Sequence, residues 1–161
     1  RAVRGLLLFP LLMSGCSLLF DDPKPVYVKY AEFPFVLTYK VDGVEFHIND
    51  SIVCEHEGIE YSAGGSANKW KRTFLSGHNS LRIKTLSPSH YIYIPGGSCR
   101  TYMDDHNADV TVNLTRISLS EAIADDDGVV YQALPLSTSK NDYGIEVIKW
   151  LPAKPITQQS P

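Results

Sequence analysis

The chain has 161 residues, with 15 basic and 18 acidic side chains, so its formal net charge is −3. This length supports one domain with a proper hydrophobic core but not two comfortable ones. Because the charges are interspersed and form no basic stripe, the sequence predicts no nucleic-acid partner.

Residues 1–15 have the order of a secretory signal peptide. Arg1 and Arg4 precede an apolar run over residues 5–12, and the small pair Ser14-Gly15 follows it. The apolar run is shorter than the roughly 20 residues that a membrane-spanning helix needs. The segment is therefore predicted to direct export and to be removed.

The four residues Met13-Ser14-Gly15-Cys16 resemble the lipobox of bacterial lipoproteins, with Met13 in place of the usual Leu. The resemblance covers only the first 16 residues. It implies cleavage before Cys16 and attachment of lipid to that cysteine, so the predicted partner is a bilayer contacted through acylated Cys16. Several acyl chains on one residue hold a protein firmly on a membrane. The alternative is an ordinary cleaved signal with a cysteine nearby by chance.

Ser17 follows the predicted lipidation site. In the lipoprotein family, Asp at this position tends to retain the protein at the inner membrane. The resemblance therefore implies the outer membrane, with the domain facing the periplasm, for a host with two membranes.

The rest of the chain divides into three predicted parts. Residues 16–25 form the lipidated N-terminus and a tether, in which two prolines keep the backbone extended. Residues 26–151 form a β-rich domain. Residues 152–161, with prolines and glutamines, are predicted to be a flexible C-terminal tail.

Strand patterns begin at Val26. The runs 35–41 and 44–48 alternate apolar and polar residues, and Asp42-Gly43 separates them. A two-residue Asp-Gly link between such runs predicts a hairpin with a type I′ turn. Because one face of this hairpin is apolar, it is expected to pack on another layer.

Turn residues separate a further series of short strand-like runs. Strands at spacings near ten residues are typical of an antiparallel β-sandwich or barrel-like domain. At most one short helix is predicted, at Ser118–Ala124, where Ser118 and Glu121 have capping-box spacing. The further predicted strands are 51–55, 58–62, 69–75, 80–86, 90–94, 110–117, 128–134 and 144–151.

Two cysteines remain once Cys16 is assigned to lipid. In an oxidising compartment, a disulfide between Cys54 and Cys99 is the expected outcome. The alternatives are a free or catalytic thiol, or a metal site built on Cys54-Glu55-His56.

The sequence predicts no catalytic residue, metal or cofactor. The five histidines are scattered along the sequence. Neither Cys54-x-His56 nor Asp104-Asp105-His106 is accompanied by a second pair of ligands at the spacing typical of zinc sites. Residues 125–128 read Asp-Asp-Asp-Gly, but an EF-hand aligned on this glycine lacks carboxylates at both ends of its loop. The Gly-x-Ser-x-Gly elbow of many hydrolases is missing from the sequence.

Aromatic residues mark a candidate partner-binding patch. Trp70 stands beside Lys71 and Arg72, and Tyr91 and Tyr93 lie on one face of a predicted strand. Trp, Tyr and Arg are the residues that most often anchor protein interfaces. The alternative is that the tryptophans are core residues and the tyrosines cover sheet edges.

Together these observations predict a membrane-anchored envelope lipoprotein without catalytic activity. It is expected to bind a protein or glycan partner, or to serve a structural role, at the periplasmic face. The alternatives are an inhibitor or immunity protein directed against a wall-attacking enzyme, and a periplasmic hydrolase.

Overall fold

A computed structural model describes residues 22–105 and 114–157. The signal peptide, Cys16 and Ser17 lie outside the described residues, as does most of the strand predicted at 110–117. In the described part of the chain, no helix is long and apolar enough to cross a membrane.

The strands form two four-stranded antiparallel sheets, which confirms the predicted β-sandwich class. The strands are β1 (Tyr30–Val41), β2 (Val44–Ser62), β3 (Gly65–Phe74), β4 (Leu81–Ser87), β5 (His90–Ile94), β6 (Leu119–Asp125), β7 (Gly128–Leu134) and β8 (Ile145–Leu151), and the helices are α1 (Cys99–Tyr102) and α2 (Leu136–Tyr143). Sheet A has the order β3-β2-β1-β8, and sheet B has the order β4-β5-β6-β7.

The hairpin predicted at Asp42-Gly43 joins β1 to β2. Asp42 has φ 50° and Gly43 has φ 83°, so both turn residues adopt the positive φ that a type I′ turn requires. The register that follows pairs Val41 with Val44 and continues without interruption along β1. Turn chemistry therefore places the alternating apolar residues of both strands on the same face.

The hydrophobic core lies between the inner faces of the two sheets. Leu37 of sheet A and Ile92 and Leu119 of sheet B are almost completely buried. The segment around α1 adds Tyr102, whose ring lies 5.1 Å from that of Phe33. The core is thus built from both sheets and from the connection after β5.

The strand β2 is longer than predicted, because the separate strands expected at 44–48, 51–55 and 58–62 are one strand. A register shift between His56 and Gly58 marks an irregularity that lets the strand continue. Beyond it, β2 and β3 form an arm that carries Tyr61, which is 80% exposed. We call residues 58–69 the β2–β3 arm.

The helix predicted at 118–124 is wrong. Residues 119–125 form β6, which pairs with β5 on one side and β7 on the other. Two sheet neighbours satisfy its backbone groups, so tertiary pairing overrides the local capping-box signal. Two helices occur elsewhere in the described residues, one more than the sequence predicted.

The residues before β1 and after β8 both lie against the domain. At the N-terminal side, the carbonyl of Lys29 accepts a hydrogen bond from the His56 amide at 2.8 Å. After β8, Ala153 is buried, and the amide of Ile156 donates to the carbonyl of Tyr102 at 3.0 Å. The packed domain therefore includes the part of the predicted flexible tail that the structure describes.

Candidate functional site

Cys54 and Cys99 form a disulfide, as the cysteine count predicted. Cys54 lies in β2 of sheet A, and Cys99 begins α1 after the turn that follows β5. Both residues are buried. The bond occupies both sulfurs, so neither cysteine is available as a nucleophile or as a metal ligand.

Trp70 lies on β3 with its indole part-buried and engaged in hydrogen bonds. Its Nε1 donates to Asp105 Oδ2 at 2.7 Å, and Asn68 Nδ2 donates to Asp105 Oδ1 at 3.1 Å. The His56 ring packs edge to face against the indole, with the ring centres 5.1 Å apart. Trp70 and Asn68 together satisfy a buried carboxylate, which gives the tryptophan a structural role.

Arg72 is also held within the domain. Its guanidinium donates to the carbonyl of Pro95 and lies 5.5 Å from the centre of the Phe74 ring. Partial burial of the charged group lowers the pKa of Arg72 from its ordinary value. Lys71, between these two residues in β3, is exposed.

Tyr91 and Tyr93 lie on the outer face of sheet B, because the alternating residues Ile92 and Ile94 are buried in the core. The Tyr91 and Tyr93 rings are 5.7 Å apart. They belong to a larger aromatic row that the sequence did not reveal.

Two neighbouring strands extend this row. Tyr131 of β7 contacts Tyr93 edge to face at 6.2 Å, and the Arg82 guanidinium of β4 lies 3.9 Å above the Tyr91 ring. Between them, Ala122 of β6 pairs with Tyr91 on one side and Tyr131 on the other. We call Arg82, Tyr91, Tyr93 and Tyr131 the tyrosine face.

The structure does not place the five predicted patch residues on one face. Trp70 and Lys71 belong to sheet A, whereas Tyr91 and Tyr93 face outward from sheet B. Arg72 reaches the backbone after β5 and is committed to that contact. Of the predicted patch, Tyr91 and Tyr93 therefore form part of the tyrosine face as half-buried residues, Lys71 is exposed on sheet A, and Trp70 and Arg72 have structural roles within the domain.

Sequence reasoning missed a buried carboxylate at the opposite end of the sandwich from Trp70. Glu121 of β6 is 4% exposed and accepts hydrogen bonds from Tyr143 Oη at 2.6 Å and Gln132 Nε2 at 2.8 Å. His90 Nε2 forms a third contact with the same carboxylate. Its donors lie on β5, β7 and α2, and no spacing in the sequence relates them.

These contacts favour the ionised form of the Glu121 carboxylate. The hydrogen bonds from Tyr143, Gln132 and His90 outweigh burial and lower the pKa of Glu121, while the nearby carboxylate raises the pKa of Tyr143. The carboxylate is thus ionised and surrounded by donors. We interpret it as a structural cluster that ties α2 to sheet B.

In the described part of the chain, no three His, Cys, Asp or Glu side chains are grouped closely enough to hold a metal ion. The acidic turn at 125–128 is a tight hairpin in which Asp125 Oδ1 accepts a hydrogen bond from the Asp127 amide at 2.9 Å. That carboxylate therefore supports the turn. His106 of the other candidate cluster lies outside the described residues.

Comparisons with protein families, with curated proteins and with solved structures found no match to this chain.

Proposed function

We propose that the protein is an envelope lipoprotein that is anchored through lipid on Cys16 and binds a protein partner with the tyrosine face. The domain lies on the periplasmic side of the outer membrane and has no catalytic activity. The anchor rests on the lipobox resemblance, and the binding role rests on the geometry of sheet B.

The observation that carries the proposal is a row of half-buried Tyr91 and Tyr93 and exposed Tyr131 on the outer face of sheet B, with the Arg82 guanidinium stacked at its end. Tyrosine contributes a large contact area at low entropic cost, and tyrosine and arginine are both enriched among the residues that dominate the binding energy of protein interfaces. The rings pack on one another and on Ala122, which is fully buried beneath them. A surface ordered in this way before binding loses little side-chain entropy when a partner covers it.

The polar clusters of the domain favour binding over catalysis. A general acid or base needs a proton-transfer site that substrate can reach. Glu121 has its oxygens occupied by three side chains, and Asp105 is occupied by Trp70 and Asn68. Both carboxylates are thus used within the domain.

The binding role is tested by photo-crosslinking in cells. A photoreactive amino acid replaces Tyr91 at the centre of the tyrosine face, and the matched control places it at Lys149, which is exposed on sheet A. We expect a discrete crosslinked envelope protein from position 91 and none from position 149. Tyr93→Ala should reduce its yield about tenfold, as for loss of an interface anchor.

Two outcomes would contradict this proposal. One is an equal yield of the same product from positions 91 and 149. The other is retention of the domain by isolated cell-wall glycan in a manner that depends on Tyr93, since that result would identify a glycan partner instead of a protein.

The anchor is tested separately, by metabolic labelling with a fatty-acid analogue. We expect label on the wild-type protein and its loss, together with release from the membrane fraction, in Cys16→Ser. Equal labelling of Cys16→Ser would refute lipidation at this residue and leave the binding experiment unaffected.

A further inference from the structure

The strand β7 forms one edge of sheet B, and its outer side has no partner among the strands that the structure describes. Its large apolar side chains are exposed to solvent: Val130 is 55% exposed and Tyr131 is 62% exposed. An edge strand presents backbone donors and acceptors to any strand that can lie beside it.

The other three edges carry the features by which proteins block such pairing. Charged side chains and register shifts both discourage the approach of another strand. Strand β4 pairs irregularly with β5 at two places, and β8 pairs irregularly with β1. The charged residues on these edges are Lys69, Lys71 and Arg72 of β3, Arg82 and Lys84 of β4, and Glu146 and Lys149 of β8.

The β7 edge has neither protection. Its sequence from Gly128 to Leu134 contains no charged residue and no proline. Its ladder with β6 runs without a register shift from Asp125–Gly128 to Leu119–Leu134. The strand is therefore uncharged and regularly paired, and each residue from Gly128 to Ala133 is exposed.

The hairpin turn determines which backbone groups face outward. A two-residue loop makes Asp125 and Gly128 the hydrogen-bonded closing pair, and such pairs then alternate along an antiparallel ladder. The backbone amides and carbonyls that point toward β6 are thus those of residues 128, 130, 132 and 134. The backbone amides and carbonyls that point away from the sheet are those of Val129, Tyr131 and Ala133.

We infer that β7 pairs antiparallel with β7 of a second copy of this chain, about a two-fold axis at Tyr131. Tyr131 then lies opposite its own counterpart, and Val129 lies opposite Ala133 of the second copy. All the outward backbone groups of these residues find partners. Because β7 is uncharged, self-pairing places no like charges opposite each other. The larger Val129 side chain lies opposite the smaller Ala133 side chain.

The pairing joins two sheets B into one sheet of eight strands. It also places the two copies of the tyrosine face side by side, with Tyr131 and its counterpart at the centre. Confinement on one membrane, which rests on the proposed lipid anchor, favours such a short interface by raising the effective concentration of the chain.

The inference is tested by disulfide trapping of the full-length protein in native membranes. In a hydrogen-bonded antiparallel pair the Cα atoms are about 5.5 Å apart, which suits a disulfide. Under mild oxidation we expect Tyr131→Cys to give about tenfold more disulfide-linked dimer than Ile148→Cys. Ile148 is the matched control, because it is exposed on β8 at the edge of sheet A.

A second variant tests whether the outward backbone groups of β7 are responsible for dimer formation. Ala133→Pro, added to Tyr131→Cys, removes an amide that the ladder with β6 does not use, so the fold should survive. We expect the crosslink to fall to the Ile148→Cys level while protease resistance of the domain is retained.

The inference is overturned if Tyr131→Cys yields no more dimer than Ile148→Cys, or if Ala133→Pro leaves the yield unchanged in a folded protein. Neither result bears on partner capture from position 91, which lies two strands away. Failure of self-pairing and failure of the proposed binding role are thus distinguishable.

Discussion

The disulfide between Cys54 and Cys99 provides the most quantitative prediction. The two cysteines are 45 residues apart in the chain. In the loop-entropy model, removing a crosslink that closes a loop of this length raises the conformational entropy of the unfolded chain, which stabilises the unfolded state by about 4 kcal/mol at 25 °C. We therefore expect the double variant Cys54→Ala/Cys99→Ala to lose about 4 kcal/mol of unfolding free energy.

The assay is equilibrium unfolding in urea, in a Cys16→Ser background whose only cysteines are Cys54 and Cys99. With a slope of about 2 kcal/mol per molar urea, the midpoint should fall by about 2 M. Fluorescence of Trp70 and Trp150 reports the transition, because both indoles are part-buried. Reduction of the parent protein is the matched control, since it opens the loop without removing sulfur from the core.

Agreement between the reduced parent and the double variant would assign the loss to loop opening. A larger loss in the variant alone would measure the packing of the two buried sulfurs. The reasoning is refuted if the midpoint of the reduced parent lies within about 0.3 M of the oxidised one, since loop closure would then contribute little.

Two further predictions concern the buried carboxylates. The pKa of Glu121 is lowered in the folded state, so its contribution to stability is present above the ordinary value of 4.5 and is lost as pH falls through the lowered one. Between pH 6 and pH 3, the urea midpoint of Glu121→Gln should therefore fall less than that of the wild type, and equal slopes would contradict this. Trp70→Phe keeps most of the ring but removes the donor to Asp105, and should cost about 1–3 kcal/mol. Lys71→Ala, on the same strand and exposed, should change the unfolding free energy by less than about 0.5 kcal/mol, and an equal loss in both variants would refute the role of this hydrogen bond.

Local chemistry was enough to predict much of the fold. The alternation of apolar residues along 35–41 reports a strand with one buried face, and Asp42-Gly43 supplies the positive φ of the turn. Cysteine parity predicted the disulfide. Each of these signals arises from residues whose environment depends little on the order of strands in the sheets.

The remaining features depend on which strands become neighbours. Residues 119–125 carry a capping-box signal that two sheet partners override. Tyr91 and Tyr131 are 40 positions apart in the sequence, and they share a face only because β6 lies between β5 and β7. The contact between His90 and Glu121 has the same origin. A single sequence contains no local signal for such proximity.

The path of the chain before β1 has a consequence for how the domain is oriented. The carbonyl of Lys24 accepts a hydrogen bond from Asn68 at 2.8 Å, beside Trp70 and Asp105. Only a few residues separate Cys16 from this contact, and a fully extended chain of that length reaches about 20–30 Å. If Cys16 carries lipid as proposed, this reach would bring the β2–β3 arm and its exposed Tyr61 nearer to the headgroups than the Asp42 turn and the Glu121 cluster, which lie at the other end of the domain.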